Sequence, residues 1–223
     1  MGDKRVIILF DLDGTLIDST EAIIESFWVA YEAFNIPKPH QNDITKHIGN
    51  PLSYMFKHTG APDDINDAIV ARYKEHYRTI ANQKTYLLEN AKDAVEIAAS
   101  FARLGVVTTK TARYSKEILE HLGLLKHFET VVGFEDVQNP KPHAEPILKA
   151  LSNMNANPSK DFYMIGDTRL DIEAANNAQI EHIAVYSGYE PEESLKKYSN
   201  KIEKDAMSAV LRIKNLLSSG KNY

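Results

Sequence analysis

Five short apolar runs recur along the chain: Val6–Phe10, Gly105–Thr108, Thr130–Gly133, Phe162–Ile165 and His182–Val185. Each is continuous and rich in β-branched or aromatic residues rather than alternating, the pattern of a strand buried on both faces. Helical stripes separate them. Ala94, Val95, Ala98, Phe101 and Ala102 precede the second run, and Ile118, Leu119 and Leu122 follow it, with Gly123 as a helix stop. Ile147, Leu148 and Leu151 form a further stripe, and Ile172, Ala175 and Gln179 come after the fourth run. Alternation of strand and helix predicts an α/β fold: a parallel sheet with helices on both faces. Residues 16 to 85 break the rhythm. Asp18 with Glu21 resembles a capping box, Ile23, Phe27, Tyr31 and Phe34 mark one helix, and Ile65, Ile69, Tyr73 and Tyr77 mark another. The expected organisation is a core of residues 1–15 plus 86–223, with an all-helical insert over 16–85. Leu211, Leu216 and Leu217 suggest a closing amphipathic helix.

The chemistry sits at the ends of the apolar runs. Asp11-Leu12-Asp13-Gly14-Thr15 follows the first directly. Ligands of open parallel sheets bind beyond the carboxyl ends of the strands. Two carboxylates leave that end together, Gly14 permits a tight turn, and Thr15 adds a hydroxyl. These residue types are common in surface turns; their position straight after a buried strand favours a site. Gly166-Asp167-Thr168-Arg169-Leu170-Asp171 closes the fourth run. Alone it would pass for a helix N-terminus with first-turn acids. Four carboxylates gathered at one sheet edge would repel, and a hard divalent cation, most naturally Mg²⁺, relieves this. Thr108 ends the second run, where its hydroxyl and the neighbouring groups of Thr109 could meet phosphate oxygens. Lys141 lies between Pro140 and Pro142, which stiffen its backbone.

Composition excludes other classes. Lys+Arg is 26 against 31 Asp+Glu, a net charge of −5, with no basic block. That leaves no electrostatic footprint for nucleic acid or an anionic membrane. Cysteine is absent, so disulfides, thiolate zinc sites and a Cys nucleophile are excluded. No stretch approaches the roughly 18 apolar residues of a membrane span. The expected setting is cytoplasmic, as a monomer or weak homodimer.

In their order, DxDGT (Asp11 to Thr15), a strand ending in Thr108, Lys141 before Pro142 and GDxxxD (Gly166 to Asp171) resemble the haloacid-dehalogenase-like hydrolase superfamily, in its phosphatase branch. The insert resembles that family's helical C1 cap, and the core its Rossmann-like sheet. Phe10 to Ser19 and Ile48-Gly49-Asn50-Pro51-Leu52 look most like phosphoglycolate phosphatases and their pyrophosphatase relatives. The resemblance implies hydrolysis of a small phosphorylated metabolite. Asp11 would be the nucleophile, forming an aspartyl-phosphate, and Asp13 the general acid and then base. Mg²⁺ would be held by the Asp11 carboxylate, the Asp13 carbonyl and Asp167, with Asp171 in support. Thr108, Thr109 and Lys141 would bind the phosphoryl group, Lys141 also holding Asp11.

The insert would act as a lid, hinged near Leu16–Asp18 and Lys84–Tyr86. Lys46, His47, Gly49 and Asn50 are the cap-loop candidates for reaching the substrate; Tyr54, Lys57 and Arg72 fit the surface of their helices. Two departures from the family pattern bear on the substrate. Thr109 stands where many phosphoglycolate phosphatases have Asn, and Ala144 where they often have a second Pro. An inorganic pyrophosphatase or a sugar-phosphate mutase would use the same motifs. A receiver-like signalling module, the alternative of another class, would need an acceptor Asp after a third strand. Asp63 and Asp64, the residues at that distance, read instead as helix N-terminal acids.

Overall fold

The computed structural model describes residues 6–159 and 161–219. In chain order the elements are β1 (Ile7–Phe10), β2 (Ile17–Asp18), α1 (Thr20–Ala33), α2 (Gln41–Thr45), α3 (Leu52–His58), α4 (Asn66–Ile80) and β3 (Tyr86–Leu87). Then come α5 (Ala91–Phe101), β4 (Arg103–Val107), α6 (Ala112–His121), β5 (Thr130–Val132), α7 (Glu145–Asn153) and β6 (Phe162–Gly166). The chain continues through α8 (Arg169–Asn177), β7 (Glu181–Val185), α9 (Glu192–Leu195), β8 (Ile202–Glu203) and α10 (Ala206–Ser218).

The main sheet runs β5-β4-β1-β6-β7-β8, and all its neighbours pair in parallel. β1 lies inside it, so both its faces are covered. Ile7 and Leu9 pack with Ile147, Leu151 and Ala175 of α7 and α8. Ile8 and Phe10 join the cluster that holds Ala94 and Val95 of α5, Ile118 of α6 and Val210 of α10. Burial on two faces is what a continuous apolar run specifies. All five expected strands are present.

The insert supplies α1 to α4. Phe27 of α1 stacks on Phe56 of α3 with centroids 4.2 Å apart and meets Tyr73 of α4 edge-on at 5.3 Å. Such ring pairs contribute about 0.5–1.5 kcal/mol beyond area burial. The chain passes between sheet and insert through a two-stranded antiparallel ribbon, Ile17 opposite Leu87 and Asp18 opposite Tyr86. It lies at both expected hinge segments.

Several local expectations need correction. β2, β3 and β8 have two residues each, too short to leave a periodic signal. α1 has no capping box: Ser19 is its N-cap, and Asp18 accepts from the Thr20 backbone N–H at 2.9 Å. The Ser19 hydroxyl is spent on Asp13. On α10 the buried face is Ala206, Ala209, Val210 and Ile213, whereas Leu211 and Leu217 are exposed and Leu216 is half-buried. On α7, Ala150 is buried instead of Leu148. The reading of Asp63 and Asp64 as helix N-terminal acids holds: they start a short 3₁₀ turn ahead of α4, and the element before them is the helix α3. Among the described residues no helix is long and apolar enough to cross a membrane.

Candidate active site

Register places the site. Phe10 at the end of β1 pairs with Val106 of β4 and Ile165 of β6. The residues that leave these strands are therefore neighbours: Asp11 after β1, Thr108 after β4 and Asp167 after β6. The Asp11 N–H still donates to Ile165 O at 2.8 Å, extending the ladder while its side chain turns to the sheet edge. Carboxylate oxygens of Asp11, Asp167 and Asp171 lie within 4.8 Å of one another. None of the three residues is more than 3% exposed.

One ammonium serves this group. Lys141 Nζ lies 2.9 Å from Asp11 Oδ1, 2.5 Å from Asp171 Oδ1 and 3.2 Å from the Val107 carbonyl that accepts its third hydrogen bond. Burial works against the Lys141 charge, but Asp11 and Asp171 outweigh it and raise its pKa. The second Asp171 oxygen accepts from the Thr168 backbone N–H at 3.0 Å and hydroxyl at 2.7 Å, completing a capping box at the start of α8. Asp171 thus caps α8 with one oxygen and holds Lys141 with the other.

Asp167 is fixed by Thr15 Oγ1 on Oδ1 at 3.1 Å and by the Tyr189 N–H on Oδ2 at 2.8 Å. Gly14 has φ +82°, and a Cβ there would come within 2.2 Å of Asp167 Oδ2. Only glycine allows the DxDGT turn to close over that carboxylate.

Three buried carboxylates around a single lysine are short of positive charge. Burial pushes the Asp11 carboxyl up to about 7, with Lys141 opposing and Asp171 adding to the shift. Asp167 is raised well above the ordinary carboxylate range by burial, then by Asp11 and Asp171. An all-oxygen donor set with excess negative charge fits a hard divalent cation. Asp11, Asp167 and Asp171 all offer carboxylates to it, with Asp167 already accepting from Thr15 and Tyr189 and Asp171 from Lys141 and Thr168.

Asp13 faces elsewhere. Its carboxylate accepts from Ser19 Oγ and pairs with Lys110 Nζ at 3.1 Å. Lys110 also donates to the Tyr77 hydroxyl of α4 at 2.8 Å and lies 4.5 Å over that ring. Burial opposes its charge, but Asp13 and Tyr77 raise its pKa. Lys110 and Tyr77 escaped the sequence reading because the lysine is one residue beyond the motif threonines and the tyrosine sits on an ordinary core stripe. Asp13 also forms part of the wall of a cavity of about 330 Å³ between insert and core.

The other expected residues divide. Thr108 is buried at the strand end, and its hydroxyl accepts from the Lys110 N–H at 3.2 Å. Thr109 Oγ1 donates to the Gly49 carbonyl at 2.8 Å, tying core to insert. Gly49 has φ +102°, and a Cβ there would lie 3.0 Å from the Thr168 methyl. Gly49 and Asn50 line the Asp13 cavity. Lys46 and His47 do not; they border a separate cleft with Thr168 and Arg169, and Lys46 pairs with Asp43 at 2.6 Å. Lys57 and Arg72 pair with Asp63 and Glu75 on the surface, and Tyr54 stacks on His58.

A family model described as haloacid dehalogenase-like hydrolase matches residues 8–185. The chain is 33% identical over 211 residues to the pyrophosphatase PpaX of Bacillus velezensis, covering 90% of this chain and 96% of that protein. It is 30% identical over 206 residues to a phosphoglycolate phosphatase of Salmonella typhi, covering 82% and 81%. A solved haloacid dehalogenase-like family hydrolase from Streptococcus pneumoniae superposes with a TM-score of 0.82 at 26% identity, covering 97% of this chain and 98% of that one.

Proposed function

The chain belongs to the haloacid dehalogenase-like hydrolases, and from that premise we propose that it is a Mg²⁺-dependent phosphatase of a small phosphorylated metabolite, with Asp11 as nucleophile. The observation that carries this reading is the pairing of Asp11 with Lys141 at 2.9 Å, beside Asp167 and two residues before an acid that opens on a cavity.

Asp11 attacks phosphorus, the bond to the leaving oxygen breaks, and Asp13 gives that oxygen its proton. Water then attacks the phosphorus of the aspartyl-phosphate, Asp13 takes the proton, and inorganic phosphate leaves with Asp11 regenerated. Lys141 holds Asp11 in line and stabilises charge on the phosphoryl oxygens with Thr108 and the backbone at Thr109. Ser19 and Lys110 fix the direction of the Asp13 carboxyl. When bound, Mg²⁺ offsets repulsion between a carboxylate nucleophile and an anionic phosphate; Asp11, the Asp13 carbonyl and Asp167 would hold it, with Asp171 steadying Lys141. The helices of residues 16–85 act as the lid that excludes water. A cysteine-free chain of pI 5.9 suits a reducing cytoplasm. A pyrophosphatase would use the same steps with a phosphate as leaving group, and the 33% identity to PpaX favours keeping that reading in the test.

The test is hydrolysis of 4-nitrophenyl phosphate with Mg²⁺. Asp11→Asn should lower kcat at least about 10³-fold, on the order of 4 kcal/mol, and EDTA should abolish turnover. Activity that persists in the chelator, or a mild effect of the substitution, overturns the reading.

A further inference from the structure

We propose that the substrate is the phosphate monoester of an uncharged, ring-bearing alcohol, whose ring occupies the cavity beside Asp13. The inference rests on the roles given above to Asp11 and Asp13.

The leaving group must sit next to the acid that protonates it. Asp13 is in the wall of the 330 Å³ cavity, and Asp11, Lys141 and Asp167 are not. The cavity therefore lies on the leaving-group side. At about 30 Å³ per water, it has room for roughly eleven waters, more than a glycolate or a single phosphate fills. It is also long. Asp67, Val70, Lys74 and Tyr77 of α4 all line it, at the spacing of one helix face. Asp67 and Tyr77 are ten residues apart, about 15 Å at 1.5 Å per residue.

The inner end is aromatic. Tyr73 and Tyr77 are 4% and 1% exposed and stack on each other at 5.5 Å. Tyr77 is tilted against Tyr114 at 6.2 Å, and Phe134 adds a fourth ring to the lining. Rings favour stacked or edge contacts with further rings; the half-buried Tyr114 and Phe134 offer those contacts, backed by the buried Tyr73 and Tyr77.

The charge balance argues in the same direction. The acids and bases of the lining are Asp13, Asp67, Lys74 and Lys110, two of each sign. The Lys110 ammonium is taken by Asp13 and Tyr77. Lys74 alone would remain for an anionic leaving group, with Asp67 on the same helix face opposing it. A second phosphate would enter this space with several charges and no cation cluster to receive it. Lys74 and Asp67 make no ion pair among the described residues, so both can hydrogen-bond hydroxyls of a neutral alcohol.

The experiment compares kcat/KM of the full chain with Mg²⁺ on 2-phenylethyl phosphate, ethyl phosphate, phosphoglycolate and pyrophosphate. The two alkyl esters have leaving groups of similar basicity, so a difference reports the cavity. The expected result is at least tenfold higher kcat/KM for 2-phenylethyl phosphate than for each of the others. In Val70→Trp, which fills the cavity, that preference over ethyl phosphate should fall below threefold. As a check needing no variant, 2-phenylethanol should compete with 4-nitrophenyl phosphate at concentrations where glycolate does not. If phosphoglycolate or pyrophosphate is the better substrate, or the alcohol fails to compete, the inference is overturned while the phosphatase reading stands. Absence of hydrolysis of every phosphate removes that reading and this inference with it.

Discussion

Lys110 Nζ lies 3.1 Å from the Asp13 carboxylate and donates to the Tyr77 hydroxyl at 2.8 Å, so one ammonium joins the proposed acid of the core to a helix of the insert. It is nearly enclosed, with 9% of its side chain exposed. Lys110→Met should lower kcat about 10²-fold, the scale of a misdirected general acid, with KM little changed. Tyr77→Phe removes one hydrogen bond, worth about 1 kcal/mol, but keeps the ring under the ammonium, so kcat should fall less than about tenfold. Steady-state kinetics on 4-nitrophenyl phosphate checks both; equal effects on kcat and KM, or none, would deny Lys110 a positioning role.

Removing Lys141 should be felt in stability as well as in rate. Lys141→Met leaves Asp11, Asp167 and Asp171 buried without a lysine, and breaking such a pair costs about 3–5 kcal/mol. For a chain of this size that is a fall in Tm of roughly 10 °C. Millimolar Mg²⁺ should recover part of it, because the cation replaces the missing charge. Thermal melts with Mg²⁺ and with EDTA make the comparison. A Tm equal to that of the unaltered protein under both conditions would contradict the electrostatics described for the cluster.

His182 in β7 gives a pH dependence remote from the site. Burial, and then Lys201, push its pKa down from 6.5 to about 4, with Glu181 opposing; its Nε2 is 2.9 Å from Ser199 Oγ. Between these values the unfolded chain binds a proton that the folded one does not. The contribution is therefore complete above pH 6.5 and is lost as pH falls towards 4. His182→Gln should flatten the loss by on the order of 1 kcal/mol after solvent screening. Urea titrations at pH 7 and pH 4.5 read this difference, and parallel losses in both proteins would reject it.

Much of this protein is determined by residues read in order. Continuous apolar runs need cover on both faces, which dictates a parallel sheet, and Asp11, Thr108 and Asp167 stand at strand ends, which parallel pairing brings to one edge. Lys141 was legible because its prolines and its order among the motifs pointed there. Other features carry no local signal. The ribbon Ile17–Asp18 with Tyr86–Leu87 is a two-residue pairing across almost seventy positions, and neither half has a period to detect. Only packing decided that Leu211 faces outward, that Gly49 and Asn50 reach the cavity while Lys46 turns to Asp43, and that Tyr77 meets Lys110. Periodicity and motif order are properties of the chain, whereas the partner of a side chain on an irregular loop depends on how segments far apart in sequence pack together.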